Sequence, residues 1–146
     1  MRTMNEATAT GPIITRVLRD AAWAPLAVLI LHALLGSVLG HEPYVDPTMH
    51  FLGGAAAAFF VRHASRVAGR LLGGPTQYAL DLLAFGSTCA IALFWEFGEF
   101  ASDQYFGTHI QRSLENTMRD LVLGVSGAVV YLAAHRLIGS FQEHAV

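Results

Sequence analysis

The sequence predicts an all-α polytopic membrane protein, a bundle of four transmembrane helices. Its 146 residues are 53% hydrophobic and 14% charged, with a mean hydropathy of +0.45, which is far more apolar than an average soluble domain. The apolar residues collect into four stretches, each able to cross a hydrocarbon core about 30 Å thick. Breakers lie between the stretches, and the arginines lie outside them or near their ends. The expected organisation is an N-terminal cytoplasmic segment over 1–20, a transmembrane domain over 21–140 and a short cytoplasmic tail over 141–146.

The first span covers about 21–39 and follows Arg16 and Arg19. Pro25 falls near its first turn, where proline is tolerated. A signal peptide cleaved near Val38 and Gly40 is the competing reading, but the apolar part is long for one and a long segment precedes it. The second span, about 47–65, opens on Asp46 as N-cap and Pro47 at the first helical position. Gly53 with Ala57 and Gly54 with Ala58 form small-xxx-small pairs, which admit a neighbouring backbone and predict a central helix.

Gly73-Gly74-Pro75-Thr76 breaks the chain before the third span, about 78–101. The fourth, about 118–137, has Asn116 as candidate cap and Gly124 with Ala128 as a further small pair. Arg2, Arg16, Arg19, Arg62, Arg66, Arg70 and Arg136 fall on one side of these spans, against Arg112 and Arg119 on the other. The positive-inside rule then puts both termini and the 62–76 loop in the cytoplasm of a bacterial inner membrane.

Several classes of function are excluded. Cys89 is the sole cysteine, so no disulfide framework or thiolate metal site arises, and all nine basic residues are arginine under a formal net charge of −2. Nucleic acid is not an expected partner; membrane lipids are, together with a homodimer through the Gly/Ala faces. No P-loop, dinucleotide fingerprint or Ser-His-Asp ordering is present.

The functional signal lies in Phe94-Trp-Glu-Phe-Gly-Glu-Phe100. At roughly 100° per residue, Glu96, Glu99 and Asp103 share one helical stripe. A charge within a bilayer costs roughly 2.5–3.5 kcal/mol on insertion scales, so such groups normally face a protein interior and mark function. The alternative is a helix that ends near Trp95, leaving the acids wet within an interfacial aromatic belt.

The predicted topology brings these acids level with Asp46 and His50, which open the second helix, and with Asn116, Arg119 and Asp120, which open the fourth; His32 points toward the same level. The expected polar pocket is Asp46, His50, Glu96, Glu99, Asp103, Arg119 and Asp120. Carboxylate and imidazole donors together suit a divalent ion such as Zn, Mn or Fe, with His50, Glu96, Glu99 and Asp120 as the candidate ligands. Without metal, an ion-pair network of Glu96 or Glu99 with Arg119 and His50 would satisfy the same groups. A third reading keeps one glutamate protonated, as in proton-coupled carriers. His63 and His135 read as interfacial groups, Asp81 as a helix-dipole charge, and His41, His109 and His144 as exposed.

The segments Asp46-Pro-Thr-Met-His-Phe-Leu-Gly-Gly54, Phe94-Trp-Glu-Phe-Gly-Glu-Phe100 and Gly107-Thr with Ser113-Leu-Glu-Asn-Thr-Met-Arg-Asp120 resemble the YjdF-type bacterial inner-membrane family and, more distantly, VanZ-like proteins. The likeness covers roughly 44–137 and falls on Asp46, His50, Glu96, Glu99, Thr117 and Asp120. In place of the family's Trp-Asp pair before the last helix stand Glu115-Asn116 and Arg119-Asp120, and the chain is shorter with fewer spans. The resemblance implies an architecture and a site in a largely uncharacterised family, beside VanZ-like proteins associated with reduced glycopeptide susceptibility, but no reaction. Three functions are consistent with it: an accessory protein binding an envelope lipid headgroup, precursor or metal ion; a metal-dependent intramembrane enzyme with Glu96 or Glu99 as general base; and a small proton-coupled transporter.

Overall fold

A computed structural model describes residues 3–39, 44–69 and 71–144, all α-helical apart from short connections. Arg2, Gly40, His41, Arg70, the last two residues and the side chain of His144, each given a role above, lie outside what is described. The five helices are α1 (Thr3–Ala21), α2 (Trp23–Leu39), α3 (Val45–Val67), α4 (Gln77–Phe106) and α5 (Leu114–His144). The segment expected only to precede the first span is thus itself helical. Its last part, Gly11–Ala21, meets Trp23–Gly36 at a bend of 48°. Pro25 accounts for the bend: it offers no N–H to the carbonyl of Ala21 four residues back, and its ring crowds that oxygen.

The helix starts differ from expectation in instructive ways. Helix α3 begins at Val45 with Tyr44 as N-cap and no side-chain capping bond, so Asp46 sits inside the first turn and is left available for other contacts. At α5 the cap is Ser113, whose Oγ accepts the N–H of Asn116 at 3.1 Å; Asn116 is freed for the interior. Helix α4 starts on Thr76, whose hydroxyl accepts the N–H of Ala79 at 3.2 Å. It ends on Gly107 in the left-handed region at φ 65°, a conformation glycine adopts without strain.

Helix α3 packs against each of the other four and is the hub of the molecule. Its closest partner is α5, because glycines let the two backbones meet. A Cβ placed on Gly54 would overlap the carbonyl of Gly124, and one on Gly127 would overlap that of Phe51. Around this crossing the buried apolar residues are mostly small, with Ala56, Ala57, Ala58 and Ala128 among them, whereas Leu82, Phe94, Phe97 and Val122 face outward. Small residues inside and large apolar residues outside is the arrangement that lipid, as an apolar solvent, permits.

Helix α4 and residues 114–141 of α5 are long and apolar enough to cross a membrane, and the bent α1–α2 pair is a third such element when counted as one span. Helix α3 is less apolar because it carries Asp46, His50, Arg62, His63 and Arg66; as the hub, it keeps several of these away from the surroundings.

At one end of the bundle, Arg62, 3% exposed, donates from Nε to Asp81 Oδ1 at 2.6 Å and from Nη2 to Gln77 Oε1 at 2.7 Å. Arg136 Nε donates to the other oxygen of Asp81. Asp81 therefore bridges α3, α4 and α5, rather than merely complementing the dipole of its own helix.

The close crossing yields a paired prediction for thermal unfolding in detergent. Gly54→Ala forces α3 from α5 and is expected to cost about 1–3 kcal/mol, in line with overpacking of other cores. Gly53→Ala, whose added Cβ would meet only Val28 Cγ1 at 4.0 Å, is expected to stay within about 0.5 kcal/mol of the parent. Equal midpoints for the two variants would contradict the α3–α5 contact.

Candidate functional site

At the end of the bundle opposite Asp81, α3, α4 and α5 each bring acidic side chains to one imidazole. His50 lies one turn after Asp46 on α3, and its Nε2 stands 3.4 Å from Asp46 Oδ1. Helix α4 presents Glu96, with Oε1 3.7 Å from His50 Nδ1, and Glu99, with Oε1 3.9 Å from Nε2. Helix α5 adds Asp120, with Oδ2 4.0 Å from Nε2. Glu96, Glu99 and Asp120 are 2%, 8% and 0% exposed. Since α4 continues to Phe106 and covers them, a helix ending near Trp95 with wet acids is ruled out.

Each carboxylate has a different neighbour holding it. Trp95, one turn before Glu99, donates its indole N–H to Glu99 Oε1 at 2.7 Å. Gln111, from the α4–α5 connection, reaches Glu96 with its amide nitrogen, at 3.0 Å from the backbone carbonyl and 3.3 Å from Oε2. Asn116 donates to Asp120 Oδ2, while Arg119 donates to Asp120 Oδ1 at 3.1 Å and to Asn116 Oδ1 at 3.1 Å. Two buried atoms at the centre of the cluster, Glu96 Oε1 and His50 Nε2, have no hydrogen-bond partner. Buried polar atoms are nearly always paired, so each such atom calls for an explanation.

Of the residues named from sequence, Asp46, His50, Glu96, Glu99 and Asp120 come together. Arg119 stands at the edge: among the described residues it pairs with Asp120, not with Glu96 or Glu99. Asp103 is turned away. Its Oδ1 accepts from Thr108 Oγ1 at 2.6 Å and from the N–H of Ile110 at 2.7 Å, and its Oδ2 accepts from the N–H of Gln111 at 2.8 Å. It closes the loop that carries Gln111, and so positions a neighbour of Glu96 without facing the cluster itself. His32 is near, its ring 6.2 Å from that of Trp95.

Sequence reasoning missed Gln111 and the inward role of Trp95. The four-residue spacing from Trp95 to Glu99 was a usable signal for the second; a lone glutamine in a connection offered none for the first.

A family model for a predicted membrane protein (DUF2238) matches residues 16–140. The chain belongs to the DUF2238 family of predicted membrane proteins. No curated protein and no solved structure matches it. The matched region of this DUF2238 member includes every residue of the cluster and of the Arg62–Asp81–Arg136 bridge.

Two overlapping triads in the DUF2238 chain have the reach of a metal shell. One is Asp46, His50 and Asp120, the other His50, Glu96 and Glu99; within each, one ligand atom per residue lies within 4.8 Å of the others. His50 belongs to both.

The loop lock can be checked apart from any ligand. Asp103→Ala is expected to speed amide hydrogen exchange several-fold at Ile110 and Gln111, with α4 and α5 still protected, because only the loop loses its acceptors. Unchanged exchange at these two amides would show that the loop is held by something else.

Proposed function

We propose that this protein is a multi-pass inner-membrane protein of four spans, both termini cytoplasmic, whose cluster at the outer end binds a divalent cation and through it the polar headgroup of an envelope lipid or precursor, in an accessory role. The observation that carries the reading is the convergence of four carboxylates from three helices on one imidazole, with Glu96 Oε1 and His50 Nε2 buried and unpartnered. Two like charges 4–5 Å apart repel by roughly 3–4 kcal/mol at an effective dielectric near 20. Arg119 offsets this only at Asp120. A divalent cation held beside the imidazole would offset it for the carboxylates that it joins, and mixed nitrogen and oxygen donors suit Zn, Mn or Fe.

His50, Glu96, Glu99 and Asp120 are the proposed ligands, with Asp46 completing the shell. Trp95 on Glu99 and Asn116 on Asp120 are the outer hydrogen bonds that fix ligand oxygens in metal sites generally. The orientation rests on the seven-to-two arginine split, and the envelope setting on the resemblance to YjdF-type and VanZ-like proteins.

The test is metal content per chain, by mass spectrometry of protein purified without chelators, beside Glu96→Gln/Glu99→Gln and His50→Ala. About one divalent ion per parent chain, lost from both variants while their helical content is kept, is the expected result. A parent chain that remains folded and binds no ion from zinc-, manganese- or iron-supplemented buffer would overturn the reading.

A further inference from the structure

Helices α2 and α4 both lie on α3, yet no Cα of one comes within 8 Å of a Cα of the other. Between them runs a cleft of about 180 Å³. Val28 and Leu29 of α2 form one wall, Ile91 and Ala92 of α4 the other, and Gly53 and Ala57 of α3 the floor. Thr88 also lines it, but its hydroxyl already donates to the carbonyl of Ala84 at 2.8 Å. The walls are therefore almost wholly apolar, with no free side-chain donor at Thr88.

The chemistry changes abruptly at one end. His32, Trp95 and His50 also line the cleft, and His50 is the imidazole on which the four carboxylates converge. His50, with its side chain 9% exposed and its Nε2 unpartnered, is thus shared by an apolar slot and an ion-binding cluster. A slot of hydrocarbon character ending on a cation site has the form of an amphiphile. An anionic head meeting the carboxylates alone would be repelled, so the head must arrive on the cation.

We propose that the cleft takes one hydrocarbon chain of a membrane lipid phosphate, whose phosphate binds the cation held at His50, Glu96, Glu99 and Asp120. This rests on the cation reading above. The chain enters sideways from the bilayer between α2 and α4, and Gly53 keeps the floor low enough to admit it. His32 stands beside the head.

The test uses the two tryptophans of the chain, Trp23 and Trp95. In a Trp23→Phe background, Trp95 alone reports on the cleft. The probe is dodecyl phosphate brominated along its chain, which quenches an indole on contact, added to zinc-loaded protein in a non-brominated detergent. The expected result is saturable quenching that zinc chelation abolishes and inorganic phosphate does not reproduce. Gly53→Leu and Val28→Phe, which fill the cleft from two different helices, are each expected to weaken probe binding about tenfold or more, since about two methylenes lose their contacts. Both are expected to keep the zinc stoichiometry of the parent.

Zinc bound at full stoichiometry with no quenching would overturn the lipid proposal and leave the cation reading intact. Absence of bound zinc would remove the cation reading, and the proposal with it. Equal quenching by brominated dodecanol in the presence of a chelator would overturn the proposal by showing a slot indifferent to the head. Competition by inorganic phosphate as strong as that by unbrominated dodecyl phosphate would overturn it by showing that the cleft adds nothing. If neither filling variant weakens the probe, the chain lies elsewhere and the proposal fails.

Discussion

The distance between α3 and α5 governs the rest of the molecule. Gly54 and Gly127 set it by having no Cβ, so that each helix rests on a carbonyl of the other. Any larger residue at either position would push the axes apart. Because His50 lies one turn before Gly54 and Asp120 one turn before Gly124 on the facing helix, the same contact fixes how near imidazole and carboxylate come. In lipid there is little hydrophobic gain from bringing helices together, and close packing of small residues has to supply the association. The polar cluster is thus a by-product of a backbone contact, and its spacing is inherited from glycine.

The acids of α4 then fall into place through helical periodicity. Glu96 and Glu99 are three residues apart on the face turned to α3 and α5, and both are buried. Asp81 lies fifteen residues earlier on the same helix, a rise of roughly 22 Å, and is bound to Arg62 and Arg136. The two polar belts of the bundle are therefore separated by a stretch in which Ala84 and Thr88 are buried and no charged side chain intervenes. That separation is of the order of a hydrocarbon core. Burial within protein is what shields the charge of both belts from an apolar surrounding, where it is costly.

Much of this was legible from residue order. The all-α class followed from apolar stretches and their breakers, the hub position of α3 from its Gly and Ala pairs, and the meeting of His50 with Glu96, Glu99 and Asp120 from periodicity combined with helices that alternate in direction. What failed to show in the sequence was the fate of individual polar groups. Ser, Asn and Asp all make good caps, so local propensity could not assign Ser113 the task given to Asn116. Asp103 shares a stripe with Glu96 and Glu99, yet three donors in the following loop capture it, and the path of a loop is not encoded by helical phase. Asp81 was read through its own helix, whereas its partners lie 19 and 55 residues away. The helical character of residues 3–21 leaves no apolar run in the sequence, because that segment is much more polar than the stretch that follows it.

The bend at Pro25 divides the fold into unequal halves. Helices α3, α4 and α5 are joined to one another by the glycine crossing, the Asp81 bridge and the cluster, and so behave as one block. The backbone of helix α2 packs only on α1 and α3 among the described residues, with His32 reaching α4 through the ring of Trp95, and α2 is joined to α1 across a backbone elbow at which Pro25 offers no N–H to Ala21. Its attachment to the block is made largely of dispersion contacts, without an ion pair among the described residues. The architecture is that of a fixed frame with one leaf hung on a hinge, and the leaf forms one wall of the apolar cleft above α3.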